Sequence, residues 1–453
     1  MNFKRHAISY LENWKIAKNR KPLILRGARQ VGKTTLVGEF AKSYGHYISL
    51  NLEKSTDREF FERYDEVGTL VEALFLTNNI SSKDQGDTLL FIDEIQELPR
   101  AIQSLRYFFE EVPELNVIAA GSLLEFAIKD VENFPVGRIE YLYLYPLNFR
   151  EYLEAIGHHA ALEQLDTVPV KLVAHKMLIE LFHRYAIVGG MPEIVRTDIE
   201  NNNLAELPKV YESIWGTYKN DVEKYTSGKS ERRVIKHIMN TAHLYIDQRI
   251  KFQNFGNSNY RSREVGEAMR NLDAAKIIQL VYPTTDIEPP IRSNISKSPR
   301  LQFLDTGIVN YTLGIQAQLL GMEDLSNAFK GAIVPHLVTQ EVISLNSITN
   351  SIPHFWVREK KQATSEVDMV YQFGDKVIPI EIKSGATGTL KSLHQFMDRV
   401  GHPYAIRMYA GEYKIQNSVT PGGTPYILMN LPYYLGTQLP KYIDFFVHNF
   451  DLE

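Results

Sequence analysis

Along residues 1 to about 155, short apolar runs alternate with amphipathic stretches. This is the pattern of βαβ units built around a parallel sheet. Strands are expected near Leu23–Arg26, Tyr47–Leu52, Thr88–Asp93, Asn116–Gly121 and Ile139–Leu144. Between the third and fourth of these, Pro99 to Glu111 carries Ile102, Leu105, Phe108 and Phe109 at helical spacing, with charges on the other side. From Glu151 to about Tyr225 the pattern is helical. It is punctuated by Gly189-Gly190-Met191-Pro192, a glycine stop followed by a proline suited to opening the next helix. A helix over Arg232 to Asp247, a polar loop over Asn254 to Ser262, a helix over Ser262 to Ala275 and the strand-like Ile277 to Tyr282 follow. That order of elements suits a small winged-helix module. Pro289-Pro290 marks a linker, and residues 295–453 read as mixed α/β. The chain thus divides into 1–155, 156–228, 229–290 and 295–453, with no internal repeat or low-complexity tract.

The chain has 453 residues, 44% of them apolar, enough for several cores. Its most apolar stretch, Val117 to Ile128, contains Ser122 and Glu125 and is too short to span a bilayer, so no membrane partner is expected. Met1 to His6 has no apolar block after its basic residues, so a signal peptide is not expected. The absence of cysteine excludes disulfides and thiolate metal sites and fits a cytoplasmic enzyme. A net charge of −4 gives no global attraction to nucleic acid, so any DNA contact must be local. Residues 229–270 hold nine Lys/Arg against four Asp/Glu. Arg232, Arg233, Arg249, Lys251, Arg261 and Arg263 are there either to meet phosphate or to solvate a helix face.

The segment Gly27-Ala28-Arg29-Gln30-Val31-Gly32-Lys33-Thr34, with Thr35 after it, matches G-x-x-x-x-G-K-[ST] and follows the apolar Leu23-Ile24-Leu25. A strand, a glycine-bearing loop and a helix make a phosphate cradle. The glycines let successive N–H groups point inward, and the helix adds its positive end. Lys33 is expected to reach the β and γ phosphates, and the Thr34 hydroxyl to hold Mg²⁺. Leu89 to Glu94 is an apolar strand ending in two acids. Asp93 is placed to order the Mg²⁺ water shell and Glu94 to polarise the attacking water. Ser122, after the next strand, can sense the γ phosphate or cap a helix over Leu123 to Lys129. Arg138 can neutralise transition-state charge in its own subunit or in a neighbour's, which leaves a homo-oligomer open, or be a surface arginine after a turn glycine. With no Asn-Lys-x-Asp motif, ATP is favoured over GTP.

A second constellation lies in Glu366 to Phe373 and Lys376 to Lys383, which flank Gly374-Asp375. A two-residue turn opened by glycine suits a type II′ hairpin. Its register sets Asp368 opposite Glu381 and Glu366 opposite Lys383, with Val367, Met369, Ile380 and Ile382 together on a buried face. Neighbouring carboxylates repel by roughly 0.2–1 kcal/mol unless a cation lies between them. A divalent ion or Lys383 can supply that charge, or the pair Glu366–Lys383 can be purely structural.

Gly27 to Leu36 (GARQVGKTTL), Phe91 to Gln96 (FIDEIQ), Ala120 to Leu123 (AGSL), Gly137-Arg138 with Tyr145 to Tyr152, Gly189 to Pro192 (GGMP), Lys297-Ser298-Pro299 and Phe303 to Gly307 (FLDTG) together resemble one family. It is the widespread bacterial and archaeal AAA+ ATPases whose C-terminal half is an uncharacterised nuclease-like domain. The resemblance implies a P-loop sheet ordered 5-1-4-3-2 over residues 1–155, a helical lid, a winged helix, and an α/β module over 295–453 that resembles the PD-(D/E)xK nucleases. Carried over, Asp368, Glu381 and Lys383 take the D…ExK positions as metal ligands and lysine of a second divalent-metal site, with Glu341 as a fourth acid. The departure is that Ser365-Glu366-Val367 supplies no proline before Asp368. Two functions follow: an ATP-driven machine acting on DNA, or a nucleotide-dependent signalling switch whose nuclease-like domain is inactive and serves for docking. Protein remodelling is a third class, but no aromatic pore loop stands out.

Overall fold

The structure, a computed structural model, describes all residues except 1, 123, 125–133, 225, 227, 321, 323, 350, 361–362, 383–389 and 453. The chain forms two compact units. One comprises Met1–Pro146, Ala274–Ile277 and Ser347–Asn350; the other comprises Leu147–Asp273, Ile278–Asn346 and Ser351–Glu453.

The first unit runs α1 (Ala7–Ile16), β1 (Leu23–Arg26), α2 (Lys33–Ala41), β2 (His46–Asn51), α3 (Ser55–Arg63), α4 (Val67–Thr77), β3 (Thr88–Asp93), α5 (Pro99–Glu111), β4 (Asn116–Gly121) and β5 (Glu140–Tyr143). The strands pair in parallel in the order β5-β1-β4-β3-β2. Both faces of a parallel sheet are covered by helices, and β3 and β4 are accordingly buried at every position. Pro99 opens α5, whose Ile102, Leu105 and Phe108 point inward at helical spacing. They pack with Leu70, Val71 and Leu74 of α4 against Ile24, Ile92 and Ala119 of the sheet. Each such side chain contributes about 1.5–3 kcal/mol by leaving water, and Phe108→Ala would cost about 3–5 kcal/mol. The five strands lie where the apolar pattern places them. The helix expected over Leu123 to Lys129 falls outside the described residues except for Leu124.

In the second unit, Asn148 and Glu151 form a capping box that starts the helix Phe149–Ala155. Helices His159–Asp166, His175–Val188, Pro192–Asn201 and Leu207–Lys224 follow. The Gly189–Pro192 and Phe303–Gly307 motifs meet as one joint. Asp305 accepts from Gly190 N at 2.6 Å and from Ile308 N at 3.0 Å, which caps the helix Thr306–Leu313. A Cβ on Gly190 would collide with the Leu147 carbonyl, and one on Gly307 with the Val188 carbonyl, so both positions need glycine for close approach. These motifs hold the fold.

The basic stretch forms helix Lys229–Thr241, which ends in a 3₁₀ turn at Ala242–Tyr245 rather than continuing to Asp247, and helix Ser262–Ala274. Strand β6 (Ile278–Val281) is followed by β7 (Pro283–Thr284) and β8 (Arg300–Phe303), and β6 pairs antiparallel with β8. Strands β9 (His354–Lys360), β10 (Ala363–Phe373), β11 (Lys376–Ile382), β12 (Tyr404–Tyr409), β13 (Lys414–Val419) and β14 (Pro425–Pro432) form a mixed sheet with β7, in the order β13-β14-β12-β11-β10-β9-β7. The division at 290–295 is therefore crossed both ways: β8 pairs back to β6, and β7 joins β9.

The β10–β11 hairpin has the expected register from Met369↔Ile380 to Phe373↔Lys376, with Gly374 at φ 57° in the turn. The expected faces need correction. A register shift between Val367 and Val370 in the pairing with β9 breaks the alternation. Val367 joins Val370, Val377, Ala405 and Leu428 under Leu393, Phe396 and Met397 of helix Lys391–Met397, instead of lying with Met369, Ile380 and Ile382. All of these residues are buried, so the hairpin has apolar cover on both sides.

Candidate functional site

The carboxyl ends of β1, β3 and β4 share one rim, fixed by the pairs Arg26↔Gly121 and Ile92↔Ala119. From β1 the chain enters Gly27–Gly32. Gly27 (φ 151°) and Gly32 (φ 96°) hold backbone shapes that favour glycine, and a Cβ on Gly27 would strike the Leu144 carbonyl. Gly32 then caps α2. Lys33 is buried and donates to the Gly27 and Ala28 carbonyls, each at 2.9 Å. Burial pulls its ammonium down to about 8, against the pull of Glu94 and Asp93 and with help from Arg29.

Thr34 donates to Asp93 Oδ2 at 2.7 Å, which brings a hydroxyl and a carboxylate from separate elements to one point. Burial raises the Asp93 carboxyl, opposed by the Thr34 hydrogen bond. This pair of hard oxygen donors suits Mg²⁺. Glu94 follows at φ 51°, ψ 45°, a left-handed backbone that a non-glycine residue adopts at a cost of about 1–3 kcal/mol. Ser122 is buried directly after β4, between the ends of β1 and β3. Arg29 lies at the surface 3.7 Å from Glu53, while Gln30, Val31 and Thr35 complete the loop and first turn.

Arg138 is not brought to this rim. It precedes β5, whose Glu140 pairs with Leu23 at the amino end of β1. Four strand residues, about 13 Å, separate that edge from the phosphate loop. Arg138 instead binds Glu110 at 2.9 Å. The geometry removes the reading in which Arg138 serves its own subunit's phosphates.

The loop has a brace that the motif does not announce. Arg5 is buried and donates to Val31 O at 3.0 Å and to Tyr145 O at 2.6 Å, tying the phosphate loop to the segment after β5. A lone arginine ahead of the first helix carries no sequence signal for this.

The carboxylate hairpin is built differently from the expected metal centre. Asp368 accepts from Arg300 at 3.3 Å and from Ile382 N at 2.9 Å. Glu366 accepts from Arg300 at 3.0 Å and from Arg249 at 3.1 Å, and Asp247 lies 3.7 Å from Arg300. Burial works against the Arg300 charge, but Asp247, Asp368 and Glu366 outweigh it and hold the guanidinium protonated. Burial pushes the Asp247 carboxyl up to about 7. A guanidinium, not a metal, thus balances these acids. Glu381 is buried on β11, and Lys383 lies outside the described residues.

Glu341 was expected as a fourth metal ligand; its contacts place it elsewhere. It is wholly buried, accepts from Phe149 N at 2.9 Å and lies 2.8 Å from Tyr185 Oη. Tyr185 Oη donates to this carboxylate and also lies 2.8 Å from the Leu147 carbonyl. Burial pushes the Glu341 carboxyl up to about 8, against the hydrogen bonds from Phe149 N and Tyr185. Among the described residues, no group of three or more His, Asp or Glu is placed to hold a metal ion. Among the described residues, these side chains do not assemble a second metal site.

No curated protein matches the chain. Solved structures with similar arrangements include the Walker-type ATPase PABY2304 of Pyrococcus abyssi, at 15% identity and a TM-score of 0.42, covering 69% of this chain and 96% of that one. AMPPCP-bound DnaA from Aquifex aeolicus is similar at 13% identity and a TM-score of 0.26, covering 59% of this chain and 86% of that one. These likenesses carry no argument about function. Residues 179–319 match a domain of unknown function (DUF8612), and residues 330–423 match another (DUF4143); neither description names an activity. Residues 19–153 match the family model of an AAA domain, and they contain the whole rim described above. The chain therefore carries a P-loop ATPase domain of the AAA type at residues 19–153.

Proposed function

We propose that the protein is a Mg²⁺-dependent ATP hydrolase whose nucleotide cycle works on a macromolecular partner. The observation that carries this is the meeting of the Gly27–Thr34 loop with Asp93, Glu94 and Ser122 at one end of a parallel sheet. The loop amides and Lys33 hold the triphosphate, Lys33 exchanging its two loop carbonyls for phosphate oxygens. Thr34 and Asp93 would hold Mg²⁺, which supplies charge neutralisation at the phosphates. Glu94 takes the proton of the attacking water, and Ser122 contacts the γ phosphate. Arg138 serves a neighbouring copy, if the chain assembles.

DNA is the partner that the second unit's cations fit best. Arg232, Arg233, Lys251, Arg261 and Arg263 are exposed on or beside the helices Lys229–Thr241 and Ser262–Ala274, read as a winged-helix module. Arg249 is withdrawn from that set by its ion pair with Glu366. A second reading, a signalling switch with an inactive nuclease-like part, is favoured by the Arg300 contacts that engage Asp368 and Glu366.

Calorimetry with MgATP tests the core of this reading: binding is expected in the parent protein and lost in Lys33→Ala, and Glu94→Gln is expected to bind ATP without turning it over. Undiminished hydrolysis in Glu94→Gln would reassign the base. A gel shift with several DNA structures, run with a Mg²⁺- or Mn²⁺-dependent cleavage assay, separates the two readings. No DNA affinity at low salt leaves the switch; nicked DNA, abolished by Asp368→Ala, rules the switch out.

A further inference from the structure

Gln96 follows Glu94 by two residues in the short turn Ile95–Glu97 and is only 7% exposed. Its side chain faces two parts of the site at once. Nε2 donates to Glu94 Oε2 at 2.6 Å. Oε1 is buried without a hydrogen-bond partner among the described residues, and it fills the space that a Cβ on Gly121 would need. Gly121 ends β4 immediately before Ser122. Its glycine is not demanded by backbone shape, because its φ is not in the left-handed range. What requires glycine there is the Gln96 amide.

We propose that Gln96 is a positioning residue that fixes the Glu94 carboxylate for water activation and seats it against the tip of β4. The amide holds Oε2, which leaves Oε1 to take the proton of the attacking water. The backbone at Glu94 is already committed to a left-handed shape, so the freedom left to this carboxylate is in its side-chain torsions, and the amide removes it. Because Gln96 also abuts Gly121, the orientation of Glu94 is tied to the strand end that carries Ser122. The inference rests on Glu94 being the hydrolytic base.

The test is a double-mutant cycle on the full chain. Gln96→Ala is expected to lower kcat about tenfold to hundredfold while leaving the calorimetric MgATP affinity within about twofold of the parent. Gly121→Ala is expected to do the same, because its methyl displaces the Gln96 amide. The double variant is expected to match Gln96→Ala alone, since removing the glutamine makes room for the methyl. Multiplying losses, or a kcat in Gln96→Ala within about twofold of the parent, would overturn the proposal. Glu94→Gln, run alongside, keeps the two readings apart. If it turns over normally, Glu94 is not the base and this inference falls with it. If it is inactive while Gln96→Ala is normal, only the role of Gln96 fails.

Discussion

Arg300 Nη1 lies 3.3 Å from Asp368 Oδ1, so a guanidinium on β8 supplies the counter-charge for the acidic end of the β10–β11 hairpin. The same guanidinium reaches Glu366 and Asp247 and lies over the Phe355 ring at 4.5 Å from its centroid. Removing one partner of a buried ion cluster leaves the others uncompensated, which typically costs about 3–5 kcal/mol.

Arg300→Met is therefore expected to lower the midpoint of denaturant unfolding of the second unit, and Asp368→Asn to do so by less, because the Ile382 N–H keeps an acceptor. Equal or greater stability of Arg300→Met would show that the cluster does not hold the sheet.

Lys33 gives a pH dependence with a definite sign. Its ammonium, normally near 10.5, is pulled down to about 8 by burial, so the free protein loses this charge as pH rises through about 8. Phosphate favours the ammonium. ATP affinity is expected to be level below about pH 7 and to weaken by up to about tenfold per unit above pH 8, with proton uptake on binding. Calorimetry in buffers of different ionisation enthalpy reads that uptake. A pH-independent affinity would show that Lys33 stays charged.

Glu341 gives a slope of the same sign, read in stability rather than in affinity. Its folded carboxyl is raised from 4.5 to about 8, so the native state keeps a proton that the unfolded chain releases. Stability contributed by that proton is full below about pH 4.5 and is lost as pH rises to about 8. Glu341→Gln preserves the contacts with Phe149 N and Tyr185 Oη without a titratable group. Its Tm is expected to exceed the parent's at pH 8.5 and to match it near pH 5. A variant that melts lower at both would show that the site needs a carboxylate.

Arg5 bridges two carbonyls, Val31 O and Tyr145 O, with separate guanidinium nitrogens. Alanine offers no donor, and a lysine would have to meet both carbonyls from one nitrogen instead of the two that the guanidinium plane holds apart. Arg5→Ala and Arg5→Lys are both expected to weaken MgATP binding, by about tenfold for a loosened phosphate loop. Parent-like affinity in Arg5→Lys would reduce the brace to one useful contact.

By itself the sequence determined the strands and the phosphate loop of the first unit. The period of its apolar runs placed β1, β3 and β4 at their observed ends, and the loop between Gly27 and Thr34 followed from glycines and a lysine at fixed spacing, because both are local in the chain. The turn at Gly374 and the hairpin register were legible for the same reason. Tertiary structure decided what lay between distant residues. It sent Glu341 to Phe149 and Tyr185, set Arg300 against Asp368, turned Val367 to the other face through a register shift, and used Arg5 to hold Val31. Charge type and spacing say that an acid sits on a strand. Which cation meets it depends on chain segments folded in from far along the sequence, and a local pattern holds no record of that.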